Sequence, residues 1–130
     1  MSKQNSKSTI LITGASGLLG SHVVKQVLKT NISKDFSILV RNDHQAQIWS
    51  SLGITSIIGD LEEPNFNLPN TINTIVHIAA IAGDWVDKTK VQIVNVEGTI
   101  HLIKQAAKIG CKKFIYVSTI YKNFSFQRLV

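Results

Sequence analysis

A chain of 130 residues has room for one ordinary hydrophobic core, and a second domain does not fit. Hydrophobic residues at 44% and charged residues at 17% exclude a disordered segment and predict a soluble globular domain. The net charge of +6 is scattered: Lys3 and Lys7 lie in a polar N-terminal arm, Lys25 and Lys29 on one helix face, Lys104 and Lys108 on another, and Lys112 with Lys113 at a strand entrance. With no recognition motif or interleaved aromatics beside it, such charge reads as solvated helix faces and not as a nucleic-acid surface.

Residues 1–8 form the polar arm, which lacks an apolar signal region, and no run approaches the roughly 18 apolar residues that a membrane span needs. No membrane association is expected. Cys111 is the lone cysteine, which excludes an internal disulfide and a Cys-x-x-Cys metal or redox pair. A reducing, cytoplasmic setting and no metal site are the resulting expectations.

The first element is the β-branched run Thr9 to Thr13, "TILIT", too short for a helix and bounded by glycine, so it predicts a buried strand. From Leu18 onward Leu19, Val23 and Val27, flanked by Val24 and Leu28, keep helical spacing while Ser21, His22, Lys25, Gln26 and Lys29 fall elsewhere. The alternation then repeats: strand Phe36 to Val40, short helix Gln45 to Leu52, strand Ile54 to Ile58, and a loop holding Pro64 and Pro69. A strong apolar strand from Thr74 to Ala79, a helix from about Lys88 to Ile109 and a strand Phe114 to Val117 complete the series. Strict alternation predicts an α/β domain over residues 9–119: a doubly wound parallel sheet of about five strands, order 3-2-1-4-5, between two helical layers. Residues 120–130 show no clean period and carry no assignment.

Between the first strand and the first helix stands "TGASGLLG", with glycines at Gly14, Gly17 and Gly20. Gly14 lets the chain turn sharply out of the strand, Gly17 removes a side chain where backbone must approach a pyrophosphate, and Gly20 lets the helix pack closely. An anion held there meets free N–H groups and the positive end of the helix dipole, so Gly14, Ser16, Gly17, Leu18, Leu19 and Gly20 are the expected cofactor-binding residues of this turn. Three glycines alone are weak evidence, but this set sits at the first strand-to-helix junction of an alternating chain, the context the motif requires.

With "GDL" at Gly59 to Leu61, "HIAA" at His77 to Ala80, "NVEGT" at Asn95 to Thr99 and "FIYVST" at Phe114 to Thr119, the sequence resembles the extended short-chain dehydrogenase/reductase superfamily, in its NAD-dependent epimerase/dehydratase group. The likeness covers nearly the whole chain up to about Thr119. It implies a Rossmann-like fold and a nicotinamide dinucleotide partner. By position it implies that Asp60 hydrogen-bonds the adenine amino group and that the Leu61 backbone reads the ring edge. The competing reading of Asp60 is a cap on the following turn. Ala79 and Ala80 are small where the family packs cofactor against backbone, and they read equally as small core residues.

His77, set among Ile75, Val76 and Ile78, reads as a hydrogen-bonded core histidine rather than a catalyst. Asn95 shares a helical stripe with Val91, Gly98 and Leu102, so it is expected to face the sheet and tie helix to strand. Gly98 on that face costs about 1 kcal/mol of helix propensity, which points to a close-packing reason. Past the second strand the sequence reads "ILVRND", and Arg41 lies 21 residues beyond Gly20 (41 − 20), near the usual position of the cofactor selector. Its guanidinium suits a 2′-phosphate, which favours NADP(H) over NAD(H). Asp43 keeps NAD(H) open, since a small register change would put it in Arg41's place.

In the enzymes this chain resembles, a Ser or Thr after the fifth strand works with a Tyr-x-x-x-Lys pair. Thr119 matches the first position, with Ser118 beside it; strand alternation lets only one of the two face the pocket. Tyr-x-x-x-Lys is absent: Tyr116 is followed four places on by Ile120, and Tyr121 by Ser125. The expectation is a cofactor-binding portion of an epimerase, dehydratase or reductase, inactive alone; a non-enzymatic NADP(H) sensor and one half of a split enzyme are the alternatives. An uncovered fifth strand would also favour self-association or a partner chain.

Overall fold

A computed structural model of the protein describes residues 9–30, 35–81 and 85–118. Five parallel strands, β1 (Ile10–Thr13), β2 (Phe36–Val40), β3 (Thr55–Ile58), β4 (Thr74–His77) and β5 (Lys113–Tyr116), lie in the order β3-β2-β1-β4-β5. This is the expected Rossmann-like topology. Helices α1 (Leu18–Leu28) and α2 (Asp43–Ser51) precede β2 and β3, while α3 (Lys88–Val91), a π-helical turn (Gln92–Glu97) and α4 (Gly98–Lys108) run without a break between β4 and β5.

Period-two side-chain direction sorts the sheet into two cores. Leu11 and Ile75 join Leu102, Ala106 and Val94 on one face, whereas Ile12, Ile38 and Val40 join Val24 of α1 on the other. Helices thus cover both faces. The central strands are the most buried, and β5, at the sheet edge, leaves Ile115, Tyr116 and Val117 exposed.

Boundaries differ from expectation where a backbone N–H finds another acceptor. The fourth strand, expected to reach Ala79, ends at His77 because the amides of Ile78 and Ala79 donate to the Thr13 side chain, at 3.0 and 3.1 Å. Ile54, expected in the third strand, instead donates to the Trp49 carbonyl and closes the end of α2. That helix begins at Asp43, ahead of the expected Gln45, since Asn42 caps it by accepting from the Gln45 amide at 3.0 Å. The long third helix stands at the expected place but widens into a π turn, for which the sequence carried no signal. Residues 1–8 and 119–130, and with them the arm, Thr119 and the tail, lie outside the described residues.

Candidate functional site

The carboxyl ends of β1, β2 and β3 open into one cavity of about 260 Å³. Gly14, Ser16, Arg41, Asp60 and Leu61, separated by up to 47 positions (61 − 14), all line it. Such a crevice at the strand ends is where open parallel sheets bind ligands.

The turn after β1 depends on its glycines for distinct reasons. Gly14 has φ of +77°, and a Cβ there would lie 2.7 Å from the Ala79 amide nitrogen, so the turn rests directly on the backbone beyond β4. Gly20 is buried in α1, where a Cβ would overlap the Gly14 carbonyl oxygen. Gly17 is the N-cap of α1 with extended backbone and no side chain to satisfy the first amides, and the first turn carries no acidic residue. Helix geometry leaves those N–H groups without intrahelical acceptors, and the positive end of the dipole is uncompensated. Leu18 and Leu19 stand exposed at that end despite their apolar side chains.

Arg41 is placed by a reciprocal cap. Asn42 accepts from the Gln45 amide while the Gln45 side-chain oxygen accepts from the Arg41 amide at 2.9 Å, a variant of the capping box. Gln45 lines the cavity too and was missed at the level of sequence; the Asn-x-x-Gln spacing before an apolar run was the available signal. Asp43 occupies the first turn of α2 and does not line the cavity.

Asp60 carries a structural duty: its Oδ1 accepts from the Glu62 amide at 2.9 Å, the turn-capping role weighed against adenine recognition. Leu61 is buried against Gly98, where a Cβ would stand 2.9 Å from the Leu61 carbonyl oxygen. The glycine therefore serves close packing as expected, but against this loop rather than a strand. Glu62 adds a negative group to the rim and is paired to Lys90 at 3.6 Å, the one ion pair among the described residues.

Beyond β4, Ala79 is partly buried beneath the Gly14 turn, whereas Ala80 is exposed. Neither lines the cavity. Asn95, on the π turn, accepts from the Ile81 amide and donates to the Ile81 carbonyl, each at 2.8 Å, so it ties the helix to the segment just past the strand. His77 is fully buried and hydrogen-bonded at both ring nitrogens, to Thr13 at 2.7 Å and Thr99 at 2.8 Å. Burial pushes its pKa down to about 4, so the ring is neutral at neutral pH. Ser118 is exposed at the end of the described segment, and no group of three or more metal-ligating side chains occurs among the described residues. None of their helices is long and apolar enough to cross a membrane.

Comparison with known proteins places this geometry. The chain is 32% identical to a UDP-glucose 4-epimerase of Vibrio cholerae over 122 residues, which covers 88% of the chain and 36% of that enzyme. The terminal R domain of the myxalamid PKS-NRPS pathway superposes with a TM-score of 0.73 at 22% identity, over 90% of this chain and 36% of that one, a likeness of fold. Bordetella bronchiseptica WbmG, solved in complex with NAD, superposes with a TM-score of 0.61 at 26% identity, over 89% of this chain and 39% of that one. The chain thus spans somewhat over a third of the length of these relatives. A family model matches residues 10–126, and the chain belongs to the NAD dependent epimerase/dehydratase family.

Proposed function

We propose that the chain binds a nicotinamide dinucleotide across the carboxyl ends of β1, β2 and β3 and takes NADP(H) in preference to NAD(H). The observation that carries this reading is the cavity shared by the glycine turn, Arg41 and the Asp60–Leu61 segment. The pyrophosphate would lie on the backbone of Ser16, Gly17, Leu18 and Leu19, with Gly14 and Gly20 making room for the turn. Arg41 would grip the 2′-phosphate, and the Asp60 carboxylate with the Leu61 backbone would read the adenine edge. Ala79 and Ala80 would flank the cofactor where it passes the end of β4.

A bound nicotinamide supplies hydride transfer. Of the groups that would serve a substrate, this chain holds the Thr119 hydroxyl, suited to polarising a substrate oxygen, but no Tyr-x-x-x-Lys pair to move a proton. We therefore read it as the cofactor-binding portion of an epimerase, dehydratase or reductase, not a complete catalyst. Fluorescence titration with NADPH and NADH, on the wild type and on Arg41→Ser, tests the reading. NADPH should bind more tightly, and the substitution should weaken NADPH by roughly ten- to a hundredfold, the worth of a charge-assisted phosphate contact, while NADH changes by less than about threefold. Equal weak binding of both by the wild type would remove the role of Arg41, and binding of neither would overturn the site.

A further inference from the structure

A single directed chain of hydrogen bonds runs through the interior behind the glycine turn. Thr13 Oγ1 accepts from the amides of Ile78 and Ala79, at 3.0 and 3.1 Å, so its own proton is left to point at His77 Nδ1, 2.7 Å away. That nitrogen is then an acceptor, and the ring proton sits on Nε2, which donates to Thr99 Oγ1 at 2.8 Å. Thr99 in turn donates to the Asn95 carbonyl at 2.7 Å, and the Asn95 amide clasps both backbone groups of Ile81 at 2.8 Å. Each hydroxyl and ring proton in the series has one acceptor. Placing the ring proton on Nδ1 would leave Thr13 Oγ1 facing three N–H donors and its own proton without an acceptor.

One end of this series adjoins the glycine turn of the proposed cofactor site. Thr13 precedes Gly14, and the Gly14 turn rests on the Ala79 backbone so closely that a methyl group cannot be inserted between them. The Thr13 hydroxyl thus adds a side-chain tie between the end of β1 and the segment beyond β4, and His77 Nδ1 is the acceptor that its proton meets. A leucine there would leave the Thr13 proton without this acceptor and Thr99 without this donor, so the histidine does more than fill space.

Resting on the proposed dinucleotide site, we propose that His77 is a positioning residue for it: as the Nε2–H tautomer it orients Thr13, which holds the Gly14 turn and the Ile78–Ala79 backbone in register for the cofactor. His77 touches neither cofactor nor substrate in this role.

The test uses the full chain in three arms. Nitrogen-15 correlation spectra of the imidazole should show Nδ1 unprotonated and Nε2 protonated; a protonated Nδ1 overturns the proposal. In folded His77→Leu, NADPH affinity should fall about tenfold, the effect of losing one buried hydrogen-bonded group, and amide exchange at Ile78 and Ala79 should quicken. In His77→Gln, whose amide accepts and donates as the ring does, affinity should return to within about threefold of wild type. A residue that merely fills space would leave the affinity of the folded protein equal in all three forms. Should His77→Leu not fold, Thr99→Val and Thr99→Ser pose the same question from the Nε2 side, with loss expected for valine and rescue for serine. If the wild type binds no dinucleotide, the site reading fails, while the tautomer and exchange arms still decide whether the tie exists.

Discussion

Gly20→Ala separates the two reasons a glycine can be needed in a helix. Gly20 lies inside α1 with no positive φ, so alanine should gain about 1 kcal/mol of helix propensity. The added Cβ, however, would overlap the Gly14 carbonyl oxygen and stand 2.5 Å from its carbonyl carbon and 3.1 Å from Ala15 Cα. Both neighbours are backbone, and restoring van der Waals contact requires the Gly14 peptide to move by about an ångström or more. Overpacking of this kind costs roughly 1–3 kcal/mol or more, so the net change is a destabilisation of about 0–2 kcal/mol, or a few degrees in Tm. The peptide that must move also shapes the proposed pyrophosphate cradle, so NADPH affinity should fall by at least about tenfold, out of proportion to stability. Gly53→Ala is the control. It has φ of +76° and nothing within 4 Å of a new Cβ, so it should cost about 1 kcal/mol of backbone strain and leave affinity unchanged. Thermal melts by circular dichroism with NADPH titrations decide the matter: a stabilised Gly20→Ala with wild-type affinity would refute the close-packing argument.

Two more outcomes follow from the interior and the edge. His77 has its pKa lowered from 6.5 to about 4 by burial, so as pH falls below about 6.5 the unfolded chain takes up a proton that the folded chain refuses. The stability this neutral ring contributes is full above that pH and is lost progressively down to about pH 4, by about 3 kcal/mol in all. Urea melts between pH 4 and 7 should show this slope in the wild type and its removal in His77→Gln; an unchanged slope assigns it to other groups. At the sheet edge of the described residues, Ile115, Tyr116 and Val117 are exposed and only one side of β5 is paired, so sedimentation should reveal concentration-dependent association that Ile115→Lys weakens. A compact wild-type monomer at all concentrations would count against it.

Period and punctuation made the fold legible. Thr9 to Thr13, Phe36 to Val40 and Thr74 to Ala79 are apolar, β-branched and bounded by turn residues, and each holds a strand of the sheet within a residue or two. The glycine turn and the Arg41 position were equally readable, because spacing from a strand end is a local quantity. Hydrogen-bond partners were not. Thr13 and His77 are 64 residues apart, and nothing in either neighbourhood says which buried donor will meet which acceptor. The π turn was hidden for a related reason: widening a helix by one residue changes no hydrophobic count, only the angle at which Asn95 reaches Ile81.

On the proposed reading, the selector register would depend on a local polar tie as well as on charge. Arg41 and Asp43 stand two positions apart and favour opposite cofactors, so sequence spacing favoured Arg41 but left Asp43 open. The start of α2 leaves Arg41, and not Asp43, on the cavity wall. Asn42 takes the cap, Asp43 becomes the first helical residue beside the positive dipole end that suits a carboxylate, and Gln45 reaches back to pin the Arg41 amide at the cavity wall. A two-residue shift of the helix start would put Asp43 where Arg41 stands without changing either residue. Cofactor preference on this scaffold is therefore expected to respond to the Asn42–Gln45 pair, which has no charge to offer, as well as to the guanidinium that would meet the phosphate.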